Sequence, residues 1–338
     1  AGRGIMTTDA DGSILIGYQA GTAITSGERN TAIGYQSLKY PTTGADDCIA
    51  VGYQAIGGNW VTQACPRNIA IGNYALDGGL VAAVDNIGIG HEALTDLTEG
   101  DENVAIGSNS GANITTGRYN VMLGHSAGEV TTDVDKTVII GNVAAANGDM
   151  TAAADGTVAI GYTALLALTT GQANTAVGFE ALKTNIDGDN NTAVGYEALE
   201  AFEADADGHG NNTAVGKAAG KTISTGTENI AIGSGCMSTG TVTGDQNVCV
   251  GVSSGNALTS GNYNILLGGS AGAAINSGAA NIAIGTATLQ HHTTGSRNIA
   301  IGYGAMDNTA GDANDAPASI DNIFIGYDAG GGNWEDDE

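Results

Sequence analysis

Asn281-Ile-Ala-Ile-Gly285 is followed seventeen residues later by Asn298-Ile-Ala-Ile-Gly302. The same cell, an aliphatic residue before Gly and usually Asn four positions before that Gly, recurs eighteen times, with key glycines from Gly17 to Gly326. Ten of the seventeen intervals are 17 residues, three are 18, and the others are 20, 20, 21 and 24. Insertions that spare the cell are what loops on a stacked repeat scaffold tolerate.

With the key Gly as position zero, each register has its own chemistry. Position −1 is Ile or Val in sixteen repeats and Leu123 or Leu267 in the others, and −3 is Ile, Val or Thr in all eighteen. Position −2 is mostly Ala. Position +3 is always small, Ala in thirteen repeats and otherwise Ser37, Ser110, Cys236, Ser254 or Thr288. A further Gly stands at −7 in ten repeats, as in Thr115-Thr116-Gly117. The run from −3 to −1 reads as a short strand with −3 and −1 on one face and −2 on the other. The key Gly bends it, the Thr-Thr-Gly segment turns it back, and a second short strand is expected around +2 to +5. Frequent Gly and β-branched residues argue against helix. The expected fold is an all-β parallel β-solenoid (β-roll) of about 18 coils on a 17-residue basic period. At about 4.8 Å per coil such a stack would be a rod roughly 85 Å long.

Both faces of the short strand are apolar, which a strand with one wet face should not be. One arrangement puts the small −2 and +3 residues across a thin interior and leaves the −3 and −1 aliphatics as an outer stripe. That stripe exceeds what monomers usually expose, so another chain should cover it. The other arrangement is a wider solenoid with Ile and Val inside.

Position −4 is Asn in fourteen repeats: Asn30, Asn68, Asn86, Asn103, Asn120, Asn174, Asn191, Asn212, Asn229, Asn247, Asn264, Asn281, Asn298 and Asn322. Stacked at one register, these amides are expected to bond along the axis as a structural ladder.

The 338 residues include 55 Gly, 3 Pro, 36 acidic and 10 basic side chains, for a net charge of −26. Nucleic acid and anionic membrane surfaces are excluded as partners by repulsion. No apolar run nears the roughly 18 residues of a membrane span, so no membrane insertion is expected. Forty-two per cent hydrophobic residues exclude simple disorder.

Asn174-Thr-Ala-Val-Gly-Phe-Glu-Ala-Leu182 and Asn30-Thr-Ala-Ile-Gly-Tyr-Gln-Ser-Leu38 resemble the repeats of phage tail-fibre-like proteins and, less closely, the heads of trimeric autotransporter adhesins. The resemblance implies a parallel β-roll, commonly a homotrimer, in an extracellular fibre, a cell-surface appendage or a virion. Adhesin heads repeat at a shorter period, and the 338 residues contain no stretch expected to form their stalk, anchor or self-cleaving chaperone domain.

The organisation expected is an N-terminal cap or junction over 1–12, the solenoid over 13–330, and an acidic tail over 331–338. Such thin caps suit a fragment of a longer fibre or a subunit forming a head-to-tail polymer. Cys236 at +3 and Cys249 at −2, and Cys48 at −4 with Cys65 in the next coil, are candidate disulfides, with four buried thiols as the alternative. Tyr18, Tyr35 and Tyr53 occupy +1 in consecutive coils. They would stack on one another or on the sugar rings of a cell-surface glycan. Asp9, Asp11, Asp205 and Asp207 resemble fragments of calcium loops but complete none, so solvated acidic loops and no cofactor are expected.

A hexapeptide acyltransferase is a poor fit. The aliphatic residue is not renewed three times per coil, and His91, His125, His209, His291 and His292 share no arrangement that would furnish a base. Ice binding is a further possibility, but the paired Thr precede turn glycines instead of forming a flat array. The expected function is that of a non-catalytic fibre component.

Overall fold

In the computed structural model the described residues are 12–40, 44–59, 65–204, 209–307 and 319–331. The chain divides into two compact units, residues 1–173 and 174–338. The first carries nine three-residue strands, β1 (Ile14–Ile16) to β9 (Val158–Ile160). The second carries nine more, β10 (Thr175–Val177) to β18 (Ile323–Ile325). Within each unit successive strands pair in parallel at one register. In the first, Ala32 lies on Ala50 and Ala50 on Ala70; in the second, Ala176 lies on Ala193 and Ala193 on Ala214. Each unit is a parallel β-solenoid whose strands are the −3 to −1 cells.

The key Gly ends every strand, with φ between +128° and +146°. That backbone suits glycine, and the neighbouring coil enforces it. A Cβ on Gly107 would stand 2.3 Å from the carbonyl oxygen of Gly124. Conformation and stacking both forbid a side chain there.

No second strand follows. Residues +1 to +4 form a turn whose +2 and +4 positions are left-handed, for example Gln36 at φ 55° and Leu38 at φ 47°. These twists bend the chain while keeping axial bonds in both directions. Gln36 N donates to Tyr18 O of the preceding coil at 2.8 Å, and Leu38 N to Ala55 O of the following coil at 3.0 Å. Left-handed non-glycine residues cost about 1–3 kcal/mol each, so the turn is held by its neighbours.

The sequence left open which side of the strand faces inward. In all strands except β1 and β18 the central −2 residue is buried, while −3 and −1 are half-exposed or exposed. The interior is nevertheless not restricted to small side chains. Leu38, Leu76, Leu165 and Leu182 at +4 are also buried, as are Ile24, Leu97, Leu168 and Phe202 at +7. Large and small alternate across it. Ala at −2 accompanies Leu at +4 in Ala32/Leu38 and Ala176/Leu182, whereas Leu15, Met122 and Leu266 accompany Gly21, Gly128 and Gly272. A Cβ on Gly272 would sit 2.8 Å from the Leu266 side chain. In these coils a bulky −2 side chain takes the room that Leu takes at +4 elsewhere, whereas Ala105/Gly111 and Ala214/Gly220 keep both positions small.

Candidate functional site

The Asn column is a bonded ladder. In the first unit Asn86 donates its backbone N–H and its Nδ2 to Asn68 Oδ1 at 3.0 and 3.1 Å, and a second Nδ2 bond reaches Gly100 O at 2.9 Å. Asn103 and Asn120 repeat the arrangement. Each Oδ1 thus takes two donors and each Nδ2 uses both hydrogens, which saturates the amide. The second unit runs the ladder from Asn174 to Asn322, with all but Asn322 fully buried. Where Asn is replaced, the column is patched. Cys48 N bonds Asn30 Oδ1 at 2.9 Å, and Thr137 gives both its N–H and its hydroxyl to Asn120 Oδ1. The hydroxyl of Thr157 is buried without a partner.

Two further columns escaped the sequence reading. At −6, an Asp, Asn or Ser oxygen accepts the −6 backbone N–H of the preceding coil. Asp46 does so for Glu28, Asp101 for Val84, Asp245 for Thr227 and Ser296 for Ala279. The mixture of residue types hid this role. At −5, Arg and Asp of consecutive coils pair in two-pronged fashion. Arg67 reaches Asp85 at 2.6 and 2.7 Å, and Arg297 reaches Asp321 at 2.6 and 2.9 Å. These hydrogen bonds hold the Asp85 and Asp321 carboxyls below their ordinary range. The paired Thr also bond axially: Thr98 Oγ1 to Thr115 O at 3.0 Å and Thr115 Oγ1 to Thr132 O at 3.2 Å.

The −3 and −1 side chains form an aliphatic face on each unit. Ile71 and Ile106 are each 40% exposed in the first, and Val194 and Ile284 are 37% and 38% exposed in the second. The +1 residues flank it. Tyr18 stacks on Tyr35 at 5.1 Å between ring centroids, and Tyr35 on Tyr53 at 5.2 Å. Tyr53 meets Tyr74, and Tyr74 meets His91, edge to face. The inner ring faces thus pack against neighbouring tyrosines.

The cysteines of the two candidate disulfides, Cys48 with Cys65 and Cys236 with Cys249, are all buried. Each pair lies in adjacent coils, and in each a thiol donates to the other cysteine's carbonyl: Cys48 Sγ to Cys65 O at 3.4 Å, and Cys236 Sγ to Cys249 O at 3.2 Å. Burial pushes the Cys48 thiol up to about 12 and Cys65 to about 11, and raises Cys249 as well. Thiols held protonated in this way are inert.

Asp9, Asp11, Asp205 and Asp207 lie outside the described residues. Among the described residues one trio of acidic groups converges, Glu180, Glu197 and Glu200. Two lysines already serve it: Lys221 bonds Glu197 and Glu200, and Lys183 bonds Glu180. The Lys221 hydrogen bond lowers the Glu197 carboxyl. These half-buried carboxylates thus already have ammonium partners.

Of the histidines, His292 is buried at +7, where other coils carry Ile or Leu. Its Nε2 lies 3.3 Å from Asn298 Nδ2, and burial lowers its pKa. His91 and His291 are exposed and lie in different coils. No helix among the described residues is long and apolar enough to cross a membrane. No known protein family matches the chain, and no curated protein matches it significantly. The repeat architecture itself therefore carries the functional reading.

Proposed function

We propose that this chain is a non-catalytic structural component of an extracellular or virion fibre, whose solenoid units associate side by side with further copies of the same chain, as a trimer in the arrangement the resemblance implies. The observation that supports it most is the continuous aliphatic face of each unit. Nine coils of half-exposed −3 and −1 side chains offer on the order of 1,000 Å² of apolar surface, comparable to the ~800 Å² each partner gives to a standard interface. A second copy presents the same flat face at the same spacing, so the surface is complementary to itself. A catalytic role has less support, because the recurring polar groups are saturated within the solenoid.

The reading is tested by light scattering of the intact chain beside two variants, Ile71→Glu with Ile106→Glu, and Val194→Glu with Ile284→Glu. The wild type is expected to be oligomeric. Each variant is expected to shift towards monomer with unchanged circular dichroism, because a carboxylate enters the covered stripe at a partly exposed position. A wild type that stays monomeric over a hundredfold concentration range overturns the lateral association.

A further inference from the structure

Tyr18, Tyr35 and Tyr53 form an open column of phenols. Their rings lie 5.1 and 5.2 Å apart at interplanar angles of 18° and 4°, and they remain 62%, 44% and 39% exposed. Tyr303 and Tyr327 repeat the arrangement in the second unit at 5.5 Å and 10°. Strand pairing fixes this spacing, since each ring hangs from the residue after a key Gly. The rings pack face to face, yet each residue keeps a large part of its surface open to solvent.

We infer that these columns are sites of oxidative tyrosine coupling, in which neighbouring coils become joined by dityrosine with a peroxide as oxidant. Each phenol loses one electron and its hydroxyl proton to become a phenoxyl radical. Two radicals join through the ring carbons beside their hydroxyls, and the hydrogens on those carbons move to the phenolic oxygens, restoring both aromatic rings. One hydrogen peroxide takes up the two electrons and two protons and leaves as two waters. The fold contributes proximity, because two phenols held a coil apart meet at an effective concentration that free chains do not reach. Coupling would tie one coil to the next covalently on the outside of the solenoid. The inference stands on ring geometry and does not depend on how copies associate.

The test treats the intact chain with hydrogen peroxide and a haem peroxidase, then reads dityrosine fluorescence and maps cross-linked peptides by mass. Peptides joining Tyr18 to Tyr35, Tyr35 to Tyr53 and Tyr303 to Tyr327 are expected, each lighter by two hydrogens, at a yield independent of protein concentration. Tyr35→Phe keeps a ring in the stack and should remove the first two links. With Tyr303→Phe added, fluorescence should fall several-fold. Tyr119 and Tyr263 are internal controls, being 48% and 62% exposed with no ring contact among the described residues. Coupling that involves Tyr119 and Tyr263 as often as the columns, or that survives both substitutions, overturns the inference.

Discussion

Asn247 and Asn264 share one oxygen: Asn247 Oδ1 accepts the backbone N–H and the Nδ2 of Asn264, each at 3.0 Å. Asn247 in turn gives its own N–H and Nδ2 to Asn229 Oδ1 and a further Nδ2 bond to Gly261 O. The boundaries from Asn68 to Asn120 and from Asn247 to Asn298 are each sealed by such a pair of bonds, out of reach of water.

Asn247→Ala should therefore be costly. It strips two donors of Asn264 of their acceptor, and also removes donors from Asn229 and Gly261. A loss of about 2–4 kcal/mol is expected in urea unfolding, since each buried group left unpaired costs ~1–3 kcal/mol. Asn247→Thr should cost less, because Thr137 shows that a hydroxyl and its N–H can both reach the preceding Oδ1. Gln246→Ala, on the exposed neighbour, should stay within about 0.5 kcal/mol.

Two glycines with different surroundings separate stacking from conformation. Gly107→Ala puts a methyl 2.3 Å from Gly124 O. Nothing soft can yield there, and loss of about 4 kcal/mol or misfolding of the first unit is expected. Gly156 also has positive φ, 75°, but nothing lies within 4 Å of the added carbon. Gly156→Ala should cost only the left-handed penalty of about 1 kcal/mol. Thermal melts of the two variants compare them directly.

The interior predicts a rescue. Gly272→Leu alone drives a side chain into Leu266 and should destabilise the second unit. Combined with Leu266→Ala it recreates the Ala283/Leu289 pairing of the next coil, where Leu289 already holds φ 48° in the same register. The double variant should recover most of the loss, giving a coupling of roughly 1–3 kcal/mol in a double-mutant cycle. Additive effects would contradict the compensation.

His292 gives a pH dependence with a defined sign. Burial lowers its folded pKa below the unfolded value of about 6.5. The unfolded state therefore binds more protons in acid, and this contribution to stability is present above about 6.5 and fades as pH falls through the folded value. Protonation would also set a cation beside the Asn298 amide, whose Nδ2 lies 3.3 Å from Nε2. Hydrogen-exchange protection around Asn298, taken relative to the intrinsic rate at each pH, should fall between pH 7 and pH 5 in the wild type. His292→Leu, which restores the aliphatic residue common at +7, should flatten that slope.

The strand and the ladder were legible because each is written by a narrow set of residues at one register. Which face of the strand turns inward was not fixed by Ala at −2, since a small residue fits a thin interior and an outer surface alike. The left-handed turn was not legible. Its +2 and +4 positions are held by Gln36, Leu38, Glu180 and Leu182, residues that give no hint of positive φ when read alone. The −6 acceptors were hidden for a related reason, since an oxygen is required there but not a particular side chain. The cysteine spacing placed the pairs correctly in neighbouring coils, yet proximity of two thiols does not fix their oxidation state.

In the sequence all four long intervals place their extra residues between the +4 and −7 registers, and the strands on either side of each still pair in register. These insertions therefore share one seam of the repeat, and within each unit the sheet does not register them. Evolution, or a designer, can graft foreign sequence along that seam and duplicate or delete whole coils without redesigning the rest, so that span and display are tuned as separate dials.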